Sequence, residues 1–198
     1  MNALLLIDIQ NDFLPGGALA VRDGNQVLAV ANALMPKHNL VVATQDWHPA
    51  NHLSFASQHA GKQPGDVIQL DGLDQILWPD HCVQGSHGAA FSPLLNRDGI
   101  DHVVQKGTDR SIDSYSGFFD NARRKATGLE SYLRAHGVTE VHLVGLATDY
   151  CVRATALEAV DLGFQTVLVL AGCRGVELHP GDCQRAVDEM RAAGVTIQ

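Results

Sequence analysis

The stretch from residue 140 to 163 constrains this chain more than any other. Val141 to Leu146 form an apolar run with β-branched members, which reads as a buried strand. Ala147, Thr148 and Asp149 then turn the chain. Val152, Thr155, Ala156, Ala159 and Val160 follow at helical spacing, up to Gly163 just past the helix end. Thr148 and Asp149 are candidate N-caps. Cys151 is therefore predicted in the first turn of a helix that directly follows a strand. Unpaired N–H groups and the positive end of the helix dipole gather there, and both favour a thiolate, the nucleophilic form. Packing as a small hydrophobe is the default role of a cysteine. Position and company argue here for chemistry instead.

The same alternation runs through the chain. Residues 3–9 form a nearly continuous apolar run, interrupted by Asp8 near its C-terminal end, as in a parallel strand covered on both faces. Further strands are predicted over 40–44, 101–105 and 165–170, with a short last one over 195–198. A helix is predicted over 26–35, ended by Pro36. Another runs over 127–136, opened by a Thr127/Glu130 capping box and stopped by Gly137. A last helix covers 180–193, with Pro180 in its first turn and Gly194 after its end. Periodicity is lost between 49 and 87, and a loop that long inside a compact domain is usually functional. Alternating strands and helices imply βαβ units. The expected fold is α/β, a single-domain (1–198), doubly wound, mostly parallel sheet with helices on both faces.

Bulk properties narrow the function. A chain of 198 residues can bury a substantial core. Its formal charge of −8 argues against nucleic-acid or anionic-membrane partners, which require a basic patch. No apolar run approaches the ~20 residues of a membrane span. The apolar N-terminus is short and lacks a basic region and a cleavage site, so it reads as a strand rather than a signal peptide. Cys82, Cys151, Cys173 and Cys183 are scattered, with no C-x-x-C pair, which fits a reduced cytoplasm.

In open α/β sheets, sites form at the carboxyl ends of the strands. Asp8, Asp46, Lys106 and Cys151 all fall at or just past such ends. A charged Asp in an apolar strand needs a partner, and Lys106 can supply one. Taken alone, that pair could simply tie two strands together. With Cys151 beside it, Asp8 can accept the thiol proton and later return it to a leaving group, while Lys106 favours the thiolate. Asp46-Trp47-His48 puts a carboxylate and an imidazole on one side of an extended segment. His52 follows, and His81 lies in Trp78-Pro79-Asp80-His81-Cys82. Asp with two or three His suits a first-row transition metal with open positions for water or substrate. The remaining histidines have no comparable neighbours.

Six stretches carry a family resemblance: 6–13 around Asp8 and Phe13, 44–52 around Asp46, 78–84 around His81, Lys106-Gly107, 113–119 around Tyr115, and 145–152 around Cys151. Together they resemble the nicotinamidases, the pyrazinamidase-type branch of the isochorismatase-like cysteine hydrolases, over nearly the whole chain. The resemblance implies a metal-dependent amidohydrolase. Nicotinamide, and pyrazinamide with it, would be deamidated to the acid and ammonia through a Cys151 thioester, in NAD salvage. Asp8, Lys106 and Cys151 take the triad positions. Asp46, His48 and His81 take the metal positions, for Zn²⁺ first and Fe²⁺ or Mn²⁺ as alternatives. His52 matches a position that is a fourth ligand in some members only. A cis peptide is expected at Leu146–Ala147, with the N–H groups of Ala147 and Cys151 forming the oxyanion hole. Phe13, Trp78 and Tyr115 match the walls of the pyridine pocket, with Tyr150 beside it. The chain stops soon after Gly194, where many relatives continue, so a shortened last strand is expected. The partner is the small-molecule substrate, with a homo-oligomer allowed. A metal-free relative acting on another amide would have no use for the Asp-x-His and Trp-Pro-x-His residues.

Overall fold

Six parallel strands form the central sheet: β1 (Asn2–Ile7), β2 (Leu40–Asp46), β5 (His102–Lys106), β6 (Glu140–Leu146), β7 (Gln165–Arg174) and β8 (Thr196–Ile197). The computed structural model describes residues 1–198. Two further strands, β3 (Val67–Leu70) and β4 (Leu73–Ile76), make a separate antiparallel hairpin. Strand order in the main sheet is β5-β2-β1-β6-β7-β8. The chain winds outward from β1 in one direction, then returns and continues from β6 in the other. The reversal lies between β1 and β6, and a doubly wound sheet opens its ligand crevice at that point.

Four helices cover the sheet: α1 (Val27–Leu34), α2 (Leu129–Ala135), α3 (Arg153–Asp161) and α4 (Asp182–Ala192). The pleat of β1 shows why both faces are covered. Ala3, Leu5 and Ile7 enter one core with Leu129, Leu133, Ala156 and Met190 from α2, α3 and α4. Leu4 and Leu6 enter the other with Val27, Leu28 and Ala31 from α1. Alternate side chains of a strand point to opposite faces, so a strand buried on both sides is apolar throughout.

The register places the chemistry. Asp46 pairs with Lys106 across β2 and β5, so the two charged side chains end on the same rim. Ile7 pairs with Gly145 across β1 and β6. Gly145 has φ +132, and a Cβ there would lie 2.1 Å from the Ile7 carbonyl oxygen. Only glycine lets the two strands that carry Asp8 and Cys151 approach this closely.

Several local expectations differ from the structure. Asp8 lies just past β1 with φ 49, not inside the strand. Its amide bonds the Thr44 hydroxyl at 3.2 Å, and that hydroxyl donates to Asp8 Oδ1 at 2.6 Å. The expected loop over 49–87 contains the β3–β4 hairpin, whose strands are short and half exposed and so lack an apolar run. The capping box before α2 is half formed: Thr127 accepts the Leu129 amide, but Glu130 turns away to Arg134. Pro180 precedes α4, and Gly181 in the left-handed region is the residue that opens the helix. Strand β7 extends four residues past its expected end, because a bulge between Leu143 and Gly145 resumes the pairing with β6 at Cys173 and Arg174. The last strand is short, as expected.

Candidate active site

Cys151 sits on a single π-helical turn, Thr148–Val152, between β6 and α3. The Ala147 carbonyl accepts the amides of both Tyr150 and Val152, at 3.0 and 3.1 Å, and this wider turn replaces the expected α-helical start. Neither Thr148 nor Asp149 caps the helix with its side chain. Asp149 faces the chain after β7 instead, accepting the amides of Val176 and Glu177. The Leu146–Ala147 peptide is cis, as the resemblance implied.

Lys106 is the hub of the rim. Its ammonium is fully buried, 3.0 Å from Asp8 Oδ2, 2.5 Å from Asp46 Oδ1, 2.7 Å from the Ser114 carbonyl and 3.5 Å from Cys151 Sγ. Burial alone would lower such an ammonium, but Asp46 and Asp8 together hold it well above its ordinary value. Lys106 therefore stays charged and joins the Asp8–Cys151 side of the site to the Asp46 side.

The states of the other two members follow from burial. Asp8 is fully buried, which pushes its carboxyl up to about 6 against the pull of Lys106. Burial also pushes the Cys151 thiol well above its ordinary value, and Lys106 offsets only part of that. Desolvation thus works against the thiolate that the nearby ammonium favours, and burial makes Asp8 more basic than an ordinary carboxylate.

On the other side, Asp46, His48 and His81 bring one potential ligand atom each within 4.8 Å of one another, all buried. Asp46 divides its oxygens. Oδ1 meets Lys106, while Oδ2 lies 3.6 Å from His48 Nε2 and 4.0 Å from His81 Nε2. The outer nitrogens are fixed: His48 Nδ1 donates to the Gly107 carbonyl at 2.9 Å and His81 Nδ1 to the Pro79 carbonyl at 2.8 Å. Both Nε2 atoms therefore point inward, and His48 Nε2 is buried with no hydrogen-bond partner. Burial, then the neighbouring His48, lowers His81 to about 4, which leaves its imidazole neutral near pH 7. An orphaned imidazole nitrogen, a neutral imidazole and a carboxylate held far below its usual range by Lys106 and His48 fit a divalent transition metal.

His52 lies against this set with its ring 4.5 Å from that of His48. Both its nitrogens are already engaged, Nδ1 with Ser54 (2.7 Å to its hydroxyl) and Nε2 with the Ile112 carbonyl at 3.3 Å. Its ligand atoms group with His48 and Asp113, apart from Asp46 and His81.

A small, mostly apolar pocket is lined by Phe13, Trp78, Tyr115, Ala147, Tyr150 and Cys151, with Asp46 and His81 also in its wall. The Trp78 indole donates to the Tyr115 hydroxyl at 3.1 Å, and Tyr150 packs edge-on against Trp78. Sequence reasoning missed Leu19, Asp113 and Val176, which line the same pocket. Asp113 had a signal, since it opens the stretch that carries Tyr115. Leu19 and Val176 had none.

A doubly wound sheet whose rim gathers a cysteine, a buried carboxylate and an ammonium beside a carboxylate–imidazole donor set is the class that fold and site define. Residues 2–198 match the isochorismatase domain, and the chain belongs to that family. Its relatives narrow the comparison. It is 52% identical over 199 residues to the nicotinamidase of Escherichia coli, across 98% of this chain and 93% of that one. A nicotinamidase–pyrazinamidase structure from Acinetobacter baumannii superposes with a TM-score of 0.96 at 45% identity, covering 99% of this chain and 94% of that one. The pyrazinamidase of Pyrococcus horikoshii, solved in complex with zinc, gives 0.80 at 37% identity, covering 100% and 98%.

Proposed function

We propose that this chain hydrolyses the carboxamide of nicotinamide to nicotinate and ammonia, and that of pyrazinamide likewise, as a step of NAD salvage. The observation that carries the reading is the meeting of Asp8 and Lys106 with Cys151, which lines an apolar pocket together with Asp46 and His81. Identity of 52% to a nicotinamidase supports the substrate.

The residues divide the work as follows. Phe13, Trp78 and Tyr115 hold a flat heteroaromatic ring and exclude water from it. Asp46, His48 and His81 would hold a divalent metal; zinc is the first choice because the Pyrococcus relative was solved with it, and Fe²⁺ and Mn²⁺ suit the same donors. Such a metal would supply Lewis acidity toward a heteroaromatic ring in the pocket. His52, its ring 4.5 Å from that of His48 and its nitrogens on Ser54 and the Ile112 carbonyl, is the candidate fourth ligand.

Catalysis then runs on the chain's own groups. Asp8 takes the Cys151 proton as sulfur attacks the amide carbon, and the Sγ–C bond forms. The amides of Ala147 and Cys151 receive the developing oxyanion; one such donor is worth about 3–4 kcal/mol in other enzymes. Lys106 holds Asp8 in place and balances its charge. Asp8 passes its proton to the amide nitrogen, the C–N bond breaks, and ammonia leaves a thioester on Cys151. Asp8 next deprotonates a water that attacks the thioester carbon. The S–C bond breaks, nicotinate departs, and the proton returns to sulfur.

No helix is long and apolar enough to cross a membrane. All four cysteines are free, which supports a reducing compartment, the cytoplasm. The test is ammonia release from nicotinamide by purified, zinc-loaded protein, with metal content measured on the same sample. Absence of ammonia from a metal-replete, folded preparation would sink the reading.

A further inference from the structure

We propose that Val176, locked in place by Asp149, is the residue that decides which ring-substituted carboxamides this pocket admits. The inference rests on the nicotinamidase reading and deepens it.

After β7 the chain passes back over the π turn, and its course there is tightly determined. Asp149 is buried and uses both carboxylate oxygens on consecutive amides, Oδ1 on Val176 at 2.9 Å and Oδ2 on Glu177 at 2.7 Å. Charge-assisted bonds of this kind are stronger than neutral ones, and two of them remove the loop's freedom to shift. Glu177, in the left-handed region at φ 56, closes the other end. Its carboxylate accepts the amides of Gly181 at 2.6 Å and Cys183 at 3.0 Å, at the start of α4. Gly175 fills the space between: a Cβ there would lie 2.0 Å from Cys183 Sγ and 3.0 Å from Asp149 Oδ1. Residues 175–177 are thus clamped between the π turn and α4.

This clamp aims one apolar side chain at the chemistry. Val176 is half-buried, packs against the core shared with Ala147, and lines the same pocket as Cys151, Trp78 and Tyr115. A β-branched side chain is stiff at χ1, so on a fixed backbone it cannot swing aside for a larger ring. The aromatic walls are tied to one another, but Val176 comes from a different segment, and Asp149 is the side chain that holds its amide. Asp149 stands two residues before Cys151 on the same turn. Nucleophile and wall therefore keep a fixed spacing, and a substituent that meets Val176 displaces the amide carbon from Cys151. Asp149 is a positioning residue here and Val176 the specificity residue.

The test compares nicotinamide with its 2-, 4-, 5- and 6-methyl derivatives as substrates of zinc-loaded protein. A single methyl in an apolar pocket discriminates by about 10–200-fold. The V176A variant should raise kcat/KM for at least one methyl isomer, relative to nicotinamide, by tenfold or more. V176I should lower the same ratio. D149N and the longer D149E should move that ratio in the direction of V176A, with KM rising by more than kcat falls. A purely structural Asp149 would depress every substrate alike and leave the ratios between them fixed. Methyl-isomer ratios within about twofold of wild type in both Val176 variants would overturn the assignment of the wall. Unmoved ratios in both Asp149 variants would overturn the clamp. Wild-type protein that releases ammonia from none of the five amides would overturn the nicotinamidase reading itself, and this inference with it.

Discussion

The chemistry of single residues is set here by burial more than by type. Cys151 and Asp8 are ordinary side chains whose proton affinities are both raised by removal from water. Burial makes the carboxylate more basic than usual, while at the sulfur it works against the pull of Lys106. The Cys151→Ala variant should therefore fold, retain metal, and lose at least about 10³-fold in nicotinamide turnover, since removing a nucleophile costs that much or more elsewhere. Ammonia release measures this, and near-wild-type turnover would refute the nucleophile. Lys106 answers to a different physics. It compensates two buried carboxylates, so Lys106→Met should leave Asp8 and Asp46 facing each other uncompensated. Breaking a buried ion pair from one side costs about 3–5 kcal/mol. Thermal unfolding should show a large drop in Tm in addition to the loss of activity.

Elements act through the places where backbones touch. Gly145 and Gly107 are two such places, and they differ in what they protect. A methyl at Gly145 would strike the Ile7 carbonyl and strain a positive φ, so Gly145→Ala should destabilise the β1–β6 pair by about 2–4 kcal/mol, visible in denaturant unfolding. A methyl at Gly107 would lie 2.4 Å from His48 Cε1. Gly107→Ala should displace that ring and weaken zinc affinity by about 10–100-fold, the usual cost of disturbing a ligand's support. Competition with a chelator reads this directly, and affinity equal to wild type would show that His48 does not need the close approach.

At this level the sequence was legible where periodicity was strong. Every strand of the main sheet and all four helices were expected, with ends displaced by a few residues. The β3–β4 hairpin escaped because its strands are short, half exposed and without a buried face to impose alternation. The π turn escaped because its residues also suit an α-helical start. Only the cis peptide at its entrance had an antecedent, in the family resemblance.

For the whole molecule, metal binding and folding should be linked. The donors come from the end of β2, the segment just after it and the long stretch beyond, so a bound cation ties these together. A ligand that binds only the folded state stabilises it in proportion to its saturation, by about 2.7 kcal/mol at a hundredfold excess over Kd. Added zinc should raise Tm in wild-type protein and fail to do so in His48→Ala or His81→Ala. An equal shift in those variants would place the metal elsewhere.

The sequence by itself determined the alternation of strand and helix, and hence a doubly wound sheet. It also determined which polar residues would stand at the strand ends. Apolar periodicity and the position of a charge along a strand are local properties, readable without coordinates. Tertiary structure alone decided how those residues relate. Lys106 touches Asp8 and Asp46 together because the register of neighbouring strands brings one rim into line. Cys151 holds its proton more tightly than an exposed thiol because packing removes water from it. Val176 belongs to the pocket because Asp149 holds its backbone there. Each of these depends on the distance between segments far apart in the chain, and such distances exist only once the core has closed.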